Sequence, residues 1–225
     1  MPRVRLLWQA DYRTAAGEQR DVVLADGTRV TLNTDSALAV RYRQDLRFVE
    51  LLQGEAMFDI GTDADAPFRV STFGGNTDAV SGSLSVRALD EEATVTVMSG
   101  EARVAAPALE DATAMPVMAA ITIKPDQQTR YRRGGSPSPA TEIDPEQVLA
   151  WRTGRVIFEG RPFAEAVAEL GRYVPEPIVL VDRSRSHDPV SAVFSIRQAQ
   201  AAVAALAETQ GLTARRIPGV MIVIS

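Results

Sequence analysis

The chain has 225 residues, a formal net charge of -5, 45% hydrophobic residues and 24% charged residues, a balance that is ordinary for a globular protein. It contains no cysteine, which excludes disulfide bonds, thiol catalysis and cysteine metal sites, and its acidic net charge argues against nucleic-acid binding. No apolar stretch approaches the ~20 residues that cross a bilayer, and the N-terminus lacks the apolar core of a signal peptide. We therefore expect this stretch of chain to be soluble, whether alone or as part of an anchored protein.

The first half of the chain has the sequence pattern of β-strands. From Asp21 to about Val104, apolar residues recur at every second position and turn residues interrupt them at short spacing, which is typical of antiparallel strands. Asp26-Gly27 stands between two such runs, and this dipeptide favours a tight hairpin because both of its residues tolerate positive φ. The pattern predicts a β-rich domain.

Two octapeptides in this region are nearly alike. One is LLQGEAMF, residues 51–58, and the other is VMSGEARV, residues 97–104. We predict that each is a hairpin, with its turn at Gln53-Gly54 or at Ser99-Gly100, because glycine supplies the backbone freedom that a turn needs. A paired-strand unit used twice predicts stacked or wound antiparallel β-layers.

The pattern weakens after Val104. An alanine-rich stretch and one more predicted strand, ITIKPDQQTRY, are followed by RRGGSPSPATEIDPEQ, whose glycines, prolines and serines are typical of a linker. We place a domain boundary there, with a β-rich domain at residues 1–140 and a second domain at residues 141–225.

The last third of the chain changes its hydrophobic period. A short strand at Val156 to Phe158 is followed by a helix in which Phe163, Val167 and Leu170 share one face, and IVLVD is predicted as a buried strand. The strand–helix pattern repeats in PVSAVFSI and RQAQAAVAALAETQG, and LTARRI and VMIVI form a terminal hairpin. The whole chain is thus predicted to be mainly β with a C-terminal α+β module, a βαβ-βαβ-type sandwich with its helices on one face of a sheet.

The sequence offers no catalytic or metal-binding constellation. His187 is the only histidine, and its neighbours Ser186 and Asp188 cannot form a catalytic triad with it, so we expect a turn residue. Glu55 and Glu101, which follow the two repeated glycines, are expected to face solvent rather than to form an acid–base pair. There is no phosphate-binding loop or dinucleotide fingerprint. We therefore expect no metal, no cofactor and no enzyme activity on other molecules.

Several spaced motifs resemble those of one family. The segments VVLADGTRVTLNTDSALAVRY, RFVELLQGEAMFDI with PFRVST, and VTVMSGEARV resemble successive motifs of the FecR-type periplasmic region. LAWRTGRVIFEGRPFAEAVAELGRY is similar to a later motif of that family, and the last third resembles the secretin/TonB short N-terminal module. The resemblance covers nearly the whole chain, in order.

The resemblance implies a signalling regulator. FecR-type proteins are single-span inner-membrane anti-sigma factors of Gram-negative bacteria that control iron and siderophore uptake genes. Their cytoplasmic segment controls an extracytoplasmic-function (ECF) sigma factor, and their periplasmic part receives a signal from the signalling domain of a TonB-dependent outer-membrane receptor. By this resemblance the chain is the periplasmic part alone, without the membrane anchor or the sigma-binding segment. The acidic net charge adds the expectation that it has no nucleic-acid partner.

The terminal hairpin is the predicted partner-binding edge. An edge strand offers free backbone groups to a partner strand, and in the family this end of the protein engages the transporter. The alternative is a hairpin that is fully packed in its own sheet. The residues assigned to the surface are Thr213, Arg215, Ile217, Val220, Ile222, Ile224 and, at the start of the domain, Trp151.

One departure from the family pattern marks a second candidate site. Where the family commonly has Gly-Thr, this chain has Gly82-Ser83. In some family members that bond breaks by an N-to-O acyl shift, in which the hydroxyl attacks the preceding carbonyl and water then cleaves the ester. Serine carries the same hydroxyl, and the reaction also needs a strained turn. The two alternatives are self-cleavage at this bond and an ordinary turn.

The residues leave one other function class open. An envelope carbohydrate-binding or scaffolding β-sandwich protein without catalysis would also have this composition. A carbohydrate site would want exposed aromatic side chains on one face, and only 6% of the residues are aromatic. A hydrolase is disfavoured because no nucleophile and base can be paired from the sequence.

Overall fold

The computed structural model describes residues 9–42, 46–61, 66–108 and 117–225. The chain divides into two compact units. The first, which we call the β-unit, comprises residues 1–14 and 19–145, and the second, the αβ-unit, comprises residues 15–18 and 146–225.

The β-unit is one curled sheet of thirteen described strands. In chain order they are β1 (Tyr12–Arg13), β2 (Arg20–Val23), β3 (Arg29–Leu32), β4 (Ala37–Val40), β5 (Arg47–Ile60), β6 (Phe68–Thr72), β7 (Gly75–Ala79), β8 (Gly82–Leu89), β9 (Glu92–Gly100), β10 (Ala102–Ala108), β11 (Val117–Ile123), β12 (Gln127–Arg132) and β13 (Thr141–Glu142). The long strand β5 belongs to two wings of the sheet. Its first half pairs with β4 and β6, and its second half pairs with β3 and β8.

The two wings extend from β5. One has the order β1-β4-β5-β6-β7-β10-β11, and the other has the order β2-β3-β5-β8-β9-β12-β13. Within the two wings, the described strand pairs are antiparallel except β5 with β6, which is parallel. The exception arises because β5 ends in the second wing, so the chain returns beside the start of β5 and runs in the same direction. The predicted wound β-layers are confirmed, with this parallel pair as a difference.

The inward-facing residues of both wings form one hydrophobic core. Along β3, β6, β8, β9 and β10 it takes every second residue, which is the period seen in the sequence. Phe58 and Phe68, both fully buried, meet at its centre with their ring centroids 5.7 Å apart. Burial of each such side chain stabilises the fold by roughly 1.5–3 kcal/mol.

Neither repeated octapeptide forms a hairpin, so that prediction was wrong. Gln53 and Gly54 lie inside β5, where the strand passes from one wing to the other. Ser99 and Gly100 end β9, and the next strand, β10, pairs with β7 and β11 in the other wing. The glycines redirect the chain without reversing it. The repeated sequence therefore encodes a crossing between the wings, used twice.

The αβ-unit contains two sheets and two longer helices. Its strands are β14 (Arg155–Pro162), β15 (Ile178–Leu180), β16 (Pro189–Ser195), β17 (Ala214–Ile217) and β18 (Met221–Ile224). Its helices are α2 (Phe163–Gly171) and α3 (Ala199–Thr209), and the sequence boundary between the units falls within a short helix, α1 (Pro145–Val148). β14 pairs antiparallel with β16, while β18 lies between β15, which is parallel to it, and β17, which is antiparallel.

The helices of the αβ-unit contact both sheets. α2 contacts β14, β15 and β16, and α3 contacts β16 and β17; the fully buried side chains include Phe163, Leu170 and Leu206. The order of strands and helices follows the prediction. The expected single sheet was wrong, because β14 and β16 pair with each other and leave β15, β18 and β17 as a separate sheet.

The aliphatic run at Ile178–Val181 is not the buried strand that was predicted. β15 lies at the edge of the three-stranded sheet, with Val179 41% and Val181 62% exposed. Ile178 and Leu180 alternate with them and are partly buried. A sheet covered on one face only buries every second residue, and a continuous aliphatic run conceals that alternation.

Candidate functional site

The three-stranded sheet of the αβ-unit presents an apolar outer face. Val179 of β15, Val223 of β18 and Arg215 of β17 lie side by side in the register, so they point to one side of the sheet. Ile217 and Met221 form the next row on the same side. Val179 and Ile217 are 41% and 44% exposed. Exposed aliphatic side chains grouped on one sheet face are typical of an interaction site.

The structure separates the predicted partner-binding residues into two groups. Thr213, Arg215, Ile217 and Val220 are exposed on the terminal hairpin. Ile222 and Ile224 point inward and are buried, and Trp151, in a 3₁₀ turn at Ala150–Thr153, is only 4% exposed. Val179 and Val181 are exposed beside the first group, and sequence reasoning missed them. The sequence feature that could have indicated their exposure is the position of IVLV at the end of a strand–helix–strand unit, because β15 is there an edge strand.

A buried glutamate anchors the hairpin between β17 and β18. Glu176 accepts hydrogen bonds on Oε1 from Arg216 Nε at 2.9 Å, from Arg216 Nη2 at 2.5 Å and from the Gly219 N–H at 3.2 Å. The hydrogen bonds from Arg216 and then from Gly219 hold the pKa of Glu176 below its usual value. The carboxylate thus fixes both a strand residue and the turn of the hairpin.

The candidate cleavage bond lies where two connections between the wings meet, the one from β7 to β8 and the one from β9 to β10. Gly82 begins β8 with φ of 110° and faces Gly100 in the β8–β9 ladder. The Ser83 hydroxyl donates to Asp59 Oδ1 at 2.6 Å, and the Ser83 N–H donates to Ser99 Oγ at 3.0 Å. A carboxylate therefore lies within proton-transfer distance of the hydroxyl that the acyl shift would use.

The two glutamates of the repeat have different environments. Glu101 is exposed, as predicted. Glu55 is 4% exposed, so its predicted exposure was wrong. Its Oε2 accepts a hydrogen bond from Asn33 Nδ2 at 3.0 Å, and its backbone N–H donates to Ser36 Oγ at 2.9 Å. Glu55 therefore holds the connection between β3 and β4 against the crossing in β5.

A buried polar network that the sequence analysis did not find lies at the β2–β3 hairpin. Asp26 accepts hydrogen bonds from the Tyr42 hydroxyl at 2.6 Å and the Thr28 hydroxyl at 2.7 Å, and an ion pair joins it to Arg47 at 3.3 Å. Arg47 Nε also donates to the Ala66 carbonyl at 2.6 Å. Burial acts to raise the pKa of Asp26, but the hydrogen bonds from Tyr42 and Thr28 and the charge of Arg47 outweigh it and lower the pKa.

The remaining chemistry of the described residues is sparse. His187 is an exposed turn residue, as predicted. Within the described ranges, no group of three or more histidines, cysteines or acidic residues could hold a metal ion. In the same ranges, no helix has the length and apolar character needed to cross a membrane.

Comparison with known proteins identifies the class. Residues 10–103 match the model of the FecR protein family. Two crystal structures of a proposed anti-sigma factor from Parabacteroides distasonis ATCC 8503 have TM-scores of 0.77 and 0.75 to this chain, at 25% and 26% identity. The likeness covers 95% of this chain in both cases and 97% and 96% of the respective structures. No curated protein sequence matches significantly.

The fold, the family match and these likenesses place the chain in the class of signalling regulators that act on sigma factors. Residues 10–103 match the FecR family and the whole chain shares its fold with the two anti-sigma factor structures, so these findings support a FecR-type anti-sigma factor, as the sequence motifs indicated.

Proposed function

We propose that this chain is the periplasmic, signal-receiving part of a regulator that controls an ECF sigma factor from the inner membrane of a Gram-negative bacterium. Its partner is the signalling domain of a TonB-dependent outer-membrane receptor, and the regulated genes serve iron or siderophore uptake. The FecR match and the resemblance of the last third to the secretin/TonB short N-terminal module support this proposal. The sigma factor is contacted by a cytoplasmic segment outside this chain.

The observation that carries the proposal is the exposed apolar face of the αβ-unit. A relay needs a surface that binds another protein, and Val179, Val181, Ile217 and Val220 are each between 41% and 62% exposed on one small sheet and its hairpin. Carbohydrate binding lacks such support, because none of the aromatic side chains in the described ranges is exposed.

Isothermal titration calorimetry of this chain against the isolated signalling domain of the neighbouring TonB-dependent receptor tests the proposal. We expect saturable binding. The control is the signalling domain of an unrelated receptor from the same bacterium, which should not bind. If both proteins are folded and show no heat of binding at micromolar concentration, the receptor is not the partner.

A second candidate function is self-cleavage at the Gly82–Ser83 bond, favoured by the 2.6 Å contact between the Ser83 hydroxyl and Asp59. In the proposed reaction Ser83 Oγ attacks the Gly82 carbonyl carbon as Asp59 takes the hydroxyl proton. The C–N bond then breaks as Asp59 returns the proton to the Ser83 nitrogen, which leaves as a free amine, and water hydrolyses the Gly82 ester to a Gly82 carboxylic acid and the free Ser83 hydroxyl. Intact mass spectrometry after long incubation should show two fragments, and Ser83→Ala should stay whole. A single full-length species in the wild type would refute the reaction.

A further inference from the structure

The edge strand β17 has free backbone groups in a defined pattern. Thr213 and Ser225 exchange two hydrogen bonds, from Thr213 N to Ser225 O at 2.8 Å and from Ser225 N to Thr213 O at 3.1 Å. Because bonded and non-bonded pairs alternate in an antiparallel ladder, Arg215 and Ile217 also bond toward β18. The N–H and C=O groups of Ala214 and Arg216 therefore point away from it. In the described part of the chain, β17 pairs only with β18, so these groups form an open edge.

The two arginine side chains of β17 differ in their hydrogen bonds and ion pairs within the chain. Arg216 is held by Glu176 on the inner side. The Arg215 side chain is exposed on the outer face, and its guanidinium makes no hydrogen bond or ion pair with any described residue. Arg215 shares a row across the outer face with Val223 and Val179, and Ile217 lies in the next row on the same face. A free cation thus stands between the open edge and an apolar sheet face.

This arrangement disfavours a second copy of the chain as the occupant. Two β17 strands paired antiparallel through the outward groups of Ala214 and Arg216 and centred on Arg215 would place Arg215 opposite the Arg215 of the other copy. Like charges directly opposite each other in a ladder are destabilising, and charged residues on a short edge strand protect it against self-pairing. The edge therefore selects a partner strand of opposite charge.

We propose that β17 accepts an extended strand of the partner protein, and that this strand carries an acidic side chain against Arg215 and apolar side chains on the same face. The added strand bonds to Ala214 and Arg216, and its apolar residues extend the face formed by Ile217, Val223 and Val179. The proposal rests on the proposed function, because the partner protein is taken to be the receptor's signalling domain.

The test uses the full chain and the isolated receptor signalling domain. Arg215→Glu reverses the charge, and Ala214→Pro removes an edge N–H where an edge strand tolerates proline. We expect each to weaken binding by about tenfold or more. Arg197→Glu is the matched control, because Arg197 is exposed on a 3₁₀ turn at Ile196–Gln198, and it should change the affinity by less than about twofold. Circular dichroism confirms that each variant is folded.

Amide hydrogen exchange separates strand addition from other modes of binding. In the complex, the amides of Ala214 and Arg216 should become protected, while the affinity falls as salt rises. If the wild type binds but these amides stay unprotected, or both variants bind normally, the strand-addition proposal is wrong and the proposed function stands. Absence of wild-type binding overturns both. Self-association that Arg215→Glu or Ala214→Pro abolishes would assign the edge to a second copy and likewise overturn the proposal.

Discussion

Gly82 and Gly100 face each other in the β8–β9 ladder, where two connections between the wings of the β-unit meet. Their φ angles are 110° and 78°. A side chain on Gly82 would overlap the carbonyl oxygen of Ser99, and a Cβ on Gly100 would lie 2.5 Å from the carbonyl oxygen of Ser81. Both the backbone conformation and the available space therefore require glycine at these two positions.

We expect Gly100→Ala to lower the free energy of unfolding of the β-unit by about 2–4 kcal/mol, since a positive φ and the displacement of packed backbone each add a cost. Urea unfolding followed by circular dichroism measures the change. Gly74→Ala is the matched control, because Gly74 has φ of 85° but no atom within 4 Å of its added Cβ. It should cost only about 1 kcal/mol. Equal losses in the two variants would show that the close approach of the two connections contributes nothing.

The same glycines show what the sequence could and could not predict. The positions of the strands could be predicted from apolar alternation, because a strand buries one of its faces whichever wing it belongs to. The partner of each strand did not follow, since a glycine at positive φ serves equally in a hairpin and in a crossing. Only the long-range pairing of β5 with four strands and of β10 with β7 and β11 distinguishes the two.

Ser36 hydrogen-bonds to the crossing inside β5, and removing its hydroxyl should destabilise the fold. Its Oγ accepts the Glu55 N–H at 2.9 Å and lies 3.0 Å from the Glu55 carbonyl oxygen. Ser36→Ala leaves a buried N–H without its acceptor, so we expect a loss of about 1–3 kcal/mol in the free energy of unfolding. Ser71→Ala is the control, because the Ser71 hydroxyl donates only one hydrogen bond, to the Gly75 carbonyl at 3.2 Å. It should lower the free energy of unfolding by about 1 kcal/mol or less. A smaller loss for Ser36→Ala than for this control would contradict the assigned role.

The ion pair between Asp26 and Arg47 should make the stability of the β-unit depend on pH. The pKa of Asp26 in the folded state lies below its ordinary value of 3.8, so its contribution is present above that value and is lost as the pH falls through the folded-state pKa. Asp26→Asn should lower the free energy of unfolding at pH 7 by about 3 kcal/mol, because Arg47 loses its buried partner. The loss should shrink toward pH 3.

Urea midpoints of the wild type and Asp26→Asn at pH 7 and pH 3 test this dependence. Glu92→Gln is the control, since Glu92 pairs with Arg132, whose side chain is 82% exposed, and such pairs contribute about 0–1 kcal/mol. A constant difference between wild type and Asp26→Asn at both pH values would refute the assignment to the Asp26 carboxylate.

The candidate surface was predictable in its location but not in its composition. The terminal hairpin followed from Pro218-Gly219 between two apolar runs, and the structure contains it. Ile222 and Ile224 could not be assigned to the inner face from the sequence, because the face that helices cover depends on how β18 pairs with both β15 and β17. For the same reason the exposure of Val179 and Val181 was not foreseen.

Glu176→Gln should loosen the hairpin that presents this surface. The substitution weakens the charge-assisted bonds from Arg216 and from the Gly219 N–H. We expect the Ile222 amide, which donates to the Pro177 carbonyl at 2.9 Å, to exchange with solvent about tenfold faster, because local opening becomes easier. The pKa of Glu176 is lowered from 4.5, so the wild type should gain the same faster opening only as the pH falls below about 4.5. Glu165→Gln is the control, because it alters only an exposed pair with Arg161, and it should leave the exchange rate of the Ile222 amide unchanged. If Glu176→Gln also left that rate unchanged, the hairpin would not depend on the Glu176 carboxylate.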